Sequence, residues 1–448
     1  MTSADLTTSD RPASPLERVL AAACIAVLVA MNVALISWKI GGVPVRGMVA
    51  SGLLGAVLLL YPERLVQAIT RFAPVLWLAA GLALLGLVVS TANGHSLGRV
   101  AGMIGEIHIQ IAITLLIAAV LADIAGMKVS ALTFAGVVGG SVLIGLFQFI
   151  DIGASWSLRE TLGRFQGEAT HLNTSILNGR PLGLAFSPIQ FSTHACLAFA
   201  VFAAAREQES TGAGGKPNAD LIILFALGAL CVAGFVSGTR SVILGAGIFF
   251  LIYALRRGGA WLAAMIGLGS LALYLIGPML LDAFQTAQPR ILRTDDNSAT
   301  GRSSLFAMGL LLFADNPLGY GLPFNAQLHW SKFWQELYTM GNPSVIKDSE
   351  LHNYLLNMLN TYGIGLLLTA PLAYHLLRRG QHVILFFVPY IVHILFHNSG
   401  PFWNDTLFWF TVAALAAPIL YRGRAFGAGR HAIEANGSEA GGYRYMPR

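Results

Sequence analysis

The chain has 448 residues, of which 55% are hydrophobic and only 11% charged, and its mean hydropathy is +0.65. A soluble domain carries about 25% charged residues, so a water-exposed globule is excluded; the composition fits an all-α polytopic membrane protein with room for roughly a dozen spans of about 20 residues. The net charge of +6 follows from Lys and Arg gathered in cytoplasmic loops and gives no ground for a nucleic-acid partner.

Along the chain, residues 1–15 are polar and rich in Ser and Thr, and an apolar run follows from about Leu20 to Trp38. The small residues Ala21, Ala22 and Ala23 open that run instead of closing it, so it reads as an uncleaved first span. Continuous apolar runs then predict spans near 17–38, 44–61, 74–92, 99–122, 129–150, 187–205, 219–237, 240–255, 260–282, 353–377, 382–398 and 405–421. Only Ser237-Gly238-Thr239 separates the seventh from the eighth. Cys24, Cys196 and Cys231 lie within apolar runs, without metal spacing, and read as packing residues.

The basic residues set the orientation. With twelve spans and the N-terminus inside, Arg64, Arg71, Lys128, Arg206, Lys216, Arg256, Arg257, Arg378 and Arg379 fall in cytoplasmic loops, the positive-inside pattern. Residues 1–422 then form a single transmembrane domain, and 423–448 a disordered cytoplasmic tail rich in Gly, Ala and Arg. The loops 151–186 and 285–352 fall outside, and the longer one, between spans 9 and 10, is expected to contain short interfacial helices. Both carry cations against the bias, which marks them as candidate active-site loops.

Four outward patches hold residues suited to chemistry. Asn178-Gly179-Arg180-Pro181-Leu182-Gly183-Leu184-Ala185-Phe186-Ser187-Pro188 is a shaped turn leading into the sixth span; Arg180 could also simply snorkel there. Ser237-Gly238-Thr239-Arg240-Ser241 sets an Arg between two apolar runs with almost no loop, which is costly unless an anion pairs with it. Thr300-Gly301-Arg302-Ser303-Ser304-Leu305 precedes an apolar stretch, Leu305–Phe313, too short to span, so Arg302 is expected at the start of an interfacial helix. His352 opens the run His352-Asn353-Tyr354-Leu355, where the long polar segment re-enters the membrane; an imidazole there is either structural or a base.

Other ionisable residues have plainer readings. Glu106 and His108 interrupt the fourth span, and Arg99, seven residues earlier, offers Glu106 an ion pair on the same helix face. His393 and His397 have the i,i+4 spacing of metal ligands but no carboxylate between them. Asp295-Asp296 reads as a solvated pair.

Taken in order, these patches resemble the O-antigen ligase and polymerase superfamily, bacterial inner-membrane glycosyltransferases that use glycans carried on polyprenyl diphosphate. The matching residues are Arg-Pro-Leu-Gly…Ser-Pro at 180–188, Thr-Arg at 239–240, Gly-Arg…Asn-Pro-Leu-Gly-Tyr-Gly at 301–321 and His-Asn-Tyr-Leu…Gly-Ile-Gly at 352–365. The resemblance implies His352 as general base, and Arg180, Arg240 and Arg302 as diphosphate clamps with Asn353 beside them. It implies no metal and no other cofactor; the first outer loop, Lys39 to Arg46, carries no acid. The implied partners are an undecaprenyl-diphosphate-linked glycan donor, a lipid A core or glycan acceptor, and membrane lipids. The implied setting is the inner membrane, with both termini cytoplasmic and the active site periplasmic. A polymerase of the same superfamily is the alternative, and a lipid-linked glycan flippase a further one, although ionisable residues gather on one side instead of lining a path.

Overall fold

A computed structural model describes residues 13–166, 179–210, 218–259, 297–339, 350–379, 381–403 and 405–416, with isolated positions between 263 and 278. Ser14 starts helix α1 (Pro15–Ala34) with a capping box: its hydroxyl accepts from the Glu17 N–H at 3.2 Å while its own N–H donates to the Glu17 carboxylate at 2.6 Å. Each bond satisfies a backbone or side-chain group that the first helical turn leaves open. A two-residue hairpin, Lys39–Ile40 against Val43–Pro44, leads into α2 (Val45–Leu60). Then come α3 (Pro62–Ala92), α4 (Leu97–Ala125), α5 (Met127–Phe149) and α6 (Gly153–Gln166). They are followed by α7 (Pro188–Ser210), α8 (Ala219–Val236), α9 (Arg240–Arg257) and α10 (Asn297–Asp315). After a short helical patch at Ala326–Tyr338, the chain re-enters the bundle as α11 (Tyr354–Tyr362) and closes with α12 (Leu385–Ile394) and α13 (Thr406–Ala416).

The protein is a helical membrane protein. Among the described residues seven helices are long and apolar enough to cross a bilayer, and α2, α12 and α13 are apolar but shorter. That is fewer than the twelve spans expected, and the ninth, at 260–282, lies largely outside the described residues, as does the tail. Helix α9 has the length of a span but carries Arg240 at its first position and Arg256 and Arg257 at its last two. The predicted break between spans seven and eight falls where expected: α8 ends at Val236, and the Thr239 N–H turns back to the Gly234 carbonyl at 2.8 Å.

Burial sorts the helices into layers. In α7, 78% of the span is buried inside the protein and in α4 67%, against 39% or less in the other long helices, so these two form the centre. Residues such as Leu59, Trp77 and Phe225 point outward, where an apolar surface costs nothing against lipid. Helices α9 and α12 touch backbone to backbone. A Cβ on Gly245 would stand 2.8 Å from the Cα of Pro389, so only glycine permits that approach. One turn nearer the start of α9, Ser241 faces α12 in its turn.

Two expectations change here. Arg302 lies in the second turn of α10, not at its start, because the helix begins earlier, at Asn297. Glu106 acts electrostatically on Arg46 of α2, not within its own helix on Arg99. Seven residues of helix rise about 10.5 Å, which leaves Arg99 far from Glu106, whereas Arg46 comes from the neighbouring α2.

Candidate active site

The site is built at the end of the bundle where α9 begins. The opposite end of α9 lies about 27 Å away at 1.5 Å per residue, and there Arg257 pairs with Glu207 and Asp220, each at 2.6 Å. A pocket of about 370 Å³ lined by Tyr253, Arg256 and Phe386 belongs to that far end, not to the residues considered next.

The loop carrying Arg180 is pinned from below by buried polar groups. Gln148 accepts from the backbone N–H groups of Leu182 and Gly183, at 3.0 and 2.9 Å, and donates to the Gly183 carbonyl at 3.0 Å. Ser141 accepts from Leu184 N–H at 2.9 Å, and the buried Arg159 donates through Nε to the Ala185 carbonyl at 2.9 Å. A loop with its backbone groups satisfied by rigid helices is itself rigid. From it Arg180 donates through Nε and Nη2 to the Ser237 carbonyl, at 3.3 and 3.2 Å. Ser237 is fully buried and its hydroxyl lies 2.9 Å from Ser192 Oγ and 3.0 Å from Thr239 Oγ1. The turn that ends in Arg240 is therefore tied to the loop that presents Arg180.

His352 sits just before α11, half-buried. Its Nδ1 lies 2.7 Å from the backbone carbonyl of Glu350. A carbonyl only accepts, so Nδ1 carries the hydrogen and Nε2 keeps the lone pair. Burial pushes the imidazole below its ordinary value; the Glu350 carbonyl works the other way, and the nearby charge of Arg302 adds to the lowering. The Asn398 side chain donates to the Glu350 carboxylate, holding the residue that orients the ring.

Asn353 is committed to structure. Its Oδ1 caps α11 by accepting from Leu356 N–H at 3.0 Å, and its Nδ2 donates to the Leu395 carbonyl at 3.0 Å. It thereby fixes where the residue before it points.

The long segment after α10 is locked to α11 by its backbone. Tyr320 N–H donates to Asn360 O at 2.8 Å, Gly321 N–H to Thr361 O at 2.9 Å, and Ile364 N–H to Pro317 O at 2.7 Å. Gly319 and Gly363 both have positive φ, +88° and +64°, and a Cβ on Gly363 would lie 2.1 Å from the carbonyl carbon of Leu318. The Asn-Pro-Leu-Gly-Tyr-Gly and Gly-Ile-Gly stretches are two halves of one contact.

The convergence of the candidates is read through His397, on the chain just past α12. It is 1% exposed, and the charges of Arg302, His352 and Arg180 all act on it. Arg302 also acts on His393. Thus Arg180, Arg302 and His352 come together. Arg240 joins them through its neighbour Ser241, whose hydroxyl lies 3.0 Å from His393 Nδ1 and 3.4 Å from His397 Nε2. Sequence reasoning missed the serine and both histidines as parts of this cluster. Their signal was the polarity of His393 and His397 within an apolar run, weighed only for metal.

Residues 222–370 match a family model described as O-antigen ligase. Over that stretch, about a third of its length, the chain is similar to the O-antigen ligase family. No curated protein matches the chain. The O-antigen ligase match takes in Arg240, Arg302 and His352; Arg180 precedes it, and His393 and His397 follow it.

Proposed function

We propose that the protein is a glycosyltransferase that moves a glycan from undecaprenyl diphosphate to an acceptor at the periplasmic face of the inner membrane, with lipid A core as acceptor. The observation that carries this reading is the tautomer of His352: Nδ1–H is spent on the Glu350 carbonyl at 2.7 Å, so Nε2 keeps a lone pair, on a ring within the electrostatic reach of Arg302. A neutral imidazole held in one orientation is the group a general base requires.

In this reading the acceptor hydroxyl attacks the anomeric carbon of the donor and its proton passes to His352 Nε2. The bond from the anomeric carbon to the diphosphate oxygen breaks, and its electron pair leaves with the polyprenyl diphosphate. Arg180, Arg240 and Arg302 stabilise the charge that grows on that leaving group. The placement of Arg240 at the start of α9, the positive end of the helix dipole, adds to the same effect. Asn353 serves by holding the base. The lowered His352 pKa keeps the imidazole neutral and ready to accept the proton, and because a diphosphate departs without being protonated, no second acid is needed.

The test is transfer by purified protein in vesicles, with a defined polyprenyl-diphosphate-linked glycan and two acceptors, lipid A core and a second lipid-linked glycan. Wild type should modify lipid A core, and His352→Ala should make no product at normal membrane abundance. Product on the second glycan alone would make the enzyme a polymerase, and full activity of His352→Ala would remove this histidine from the chemistry.

A further inference from the structure

His393 and His397 are 0% and 1% exposed, and the reaction just described uses neither. Their tautomers follow from a chain of hydrogen bonds that runs in one direction. Thr193 gives its hydroxyl hydrogen to the Ile189 carbonyl at 3.0 Å, so its oxygen accepts from His393 Nε2, also at 3.0 Å. A buried imidazolium is costly; with His393 neutral, its Nδ1 is a lone pair and takes the Ser241 hydroxyl hydrogen at 3.0 Å. The Ser241 oxygen then receives the Nε2 hydrogen of His397 at 3.4 Å. His397 is left with its lone pair on Nδ1, and that atom is buried without a hydrogen-bond partner among the described residues.

The chain cannot conduct a proton away, because it ends on a backbone carbonyl. What it does is fix which nitrogen of His397 is the acceptor. Loss of a partner at a buried acceptor is destabilising, so the arrangement is suited to a donor that comes with the substrate. An anionic phosphate oxygen brings lone pairs and no hydrogen, and belongs to the arginines. A hydroxyl brings the hydrogen.

We propose that His397 Nδ1 accepts a hydrogen bond from an O–H group of the bound reactants, a glycan hydroxyl or a water enclosed with it, and so positions the reacting sugar for His352. The electrostatic reach of Arg180, Arg302 and His352 to this ring puts it at the same centre. The inference rests on the glycosyl-transfer reading above and adds to it a positioning group outside the family match.

Two substitutions separate the two nitrogens. His397→Asn offers an oxygen near the position of Nδ1 and gives up Ser241; His397→Gln reaches Ser241 in place of Nε2 and offers nothing at Nδ1. Ser241→Ala measures the structural effect of the buried chain alone. In the vesicle assay, with variants first matched for folded, monodisperse protein, His397→Asn should stay near wild type and His397→Gln should lose roughly tenfold in kcat/KM. A rise in KM for the acceptor assigns the hydrogen to a glycan hydroxyl, and a fall in kcat at constant KM assigns it to an enclosed water. If His397→Gln is active, or if Ser241→Ala matches its loss, His397 is only a prop for Ser241 and the inference fails. His352→Ala, assayed beside them, keeps the two readings apart: its activity alone decides the base.

Discussion

The guanidinium of Arg180 brackets the carbonyl oxygen of Ser237, with Nε at 3.3 Å and Nη2 at 3.2 Å. Two elements far apart in sequence are joined there, the loop before α7 and the turn between α8 and α9. The contact uses one edge of the guanidinium and sets the direction of the rest, so the proposed clamp on an anion is oriented before any substrate arrives. Orientation of this kind removes reorganisation from the reaction step.

Arg180→Lys keeps the charge and discards the fork. An ammonium cannot hold the Ser237 carbonyl and a diphosphate in two fixed directions. Transfer should fall by roughly tenfold or more, about 1.4 kcal/mol in the barrier, with membrane abundance unchanged. Steady-state rates at saturating donor measure it, and a rate equal to wild type would show that charge alone suffices.

The pH profile follows from the environment of His352. A base works deprotonated, so kcat/KM rises with pH through the imidazole's pKa and then levels off. Burial, with the added charge of Arg302, holds that pKa below 6.5, so the acid limb should lie on the acidic side of that value. Arg302→Gln removes one cause of the lowering and should move the limb to higher pH, apart from any drop in the plateau. A limb that stays in place would mean that Arg302 does not act on the base.

Asn353→Ala removes the cap of α11 and the bond to Leu395. A lost cap costs about 1 kcal/mol, so the thermal midpoint in detergent should fall and transfer should weaken as the ring before it loses its support. Asn353→Asp keeps an oxygen for Leu356 N–H and should recover most of the midpoint. Equal midpoints for Asn353→Ala and wild type would assign this side chain to substrate instead.

Gly363→Ala should be among the most damaging single-atom changes. The new Cβ would meet the Leu318 carbonyl carbon at 2.1 Å, at a φ of +64°. The backbone conformation alone costs about 1–3 kcal/mol for a side-chain-bearing residue, and the collision adds to it. Yield and thermal midpoint of the purified variant would report the loss; a wild-type midpoint would show that the two segments part without penalty.

The helical membrane architecture was legible because composition alone forbids other classes, and the α8–α9 break was legible because Gly238 and Thr239 interrupt an apolar run. Arg180, Arg302 and His352 were expected on one side of the membrane, and all three act on the ring of His397. Arg302 was misplaced along its helix because Asn297-Ser298-Ala299-Thr300 looks like loop sequence yet forms the first turn of α10. The Glu106 partner was misread because seven residues of helix rise about 10.5 Å, while Arg46 stands on another helix that local spacing does not reveal. His393 and His397 were read against each other, while their real partners, Thr193 and Ser241, stand 200 and 152 residues from His393. No local pattern encodes a contact of that separation.

The paired stretches 317–321 and 360–364 have a consequence for how such enzymes can diverge or be recombined. Three backbone hydrogen bonds and the facing Gly319 and Gly363 make the segment from Asn316 to Ile364 a cassette: its two ends are one unit, and His352, the proposed base, lies inside it. An exchange between relatives that cuts within either end should give unfolded hybrids. Exchange of the whole cassette would carry loop and base together, with the arginine loop left to the host.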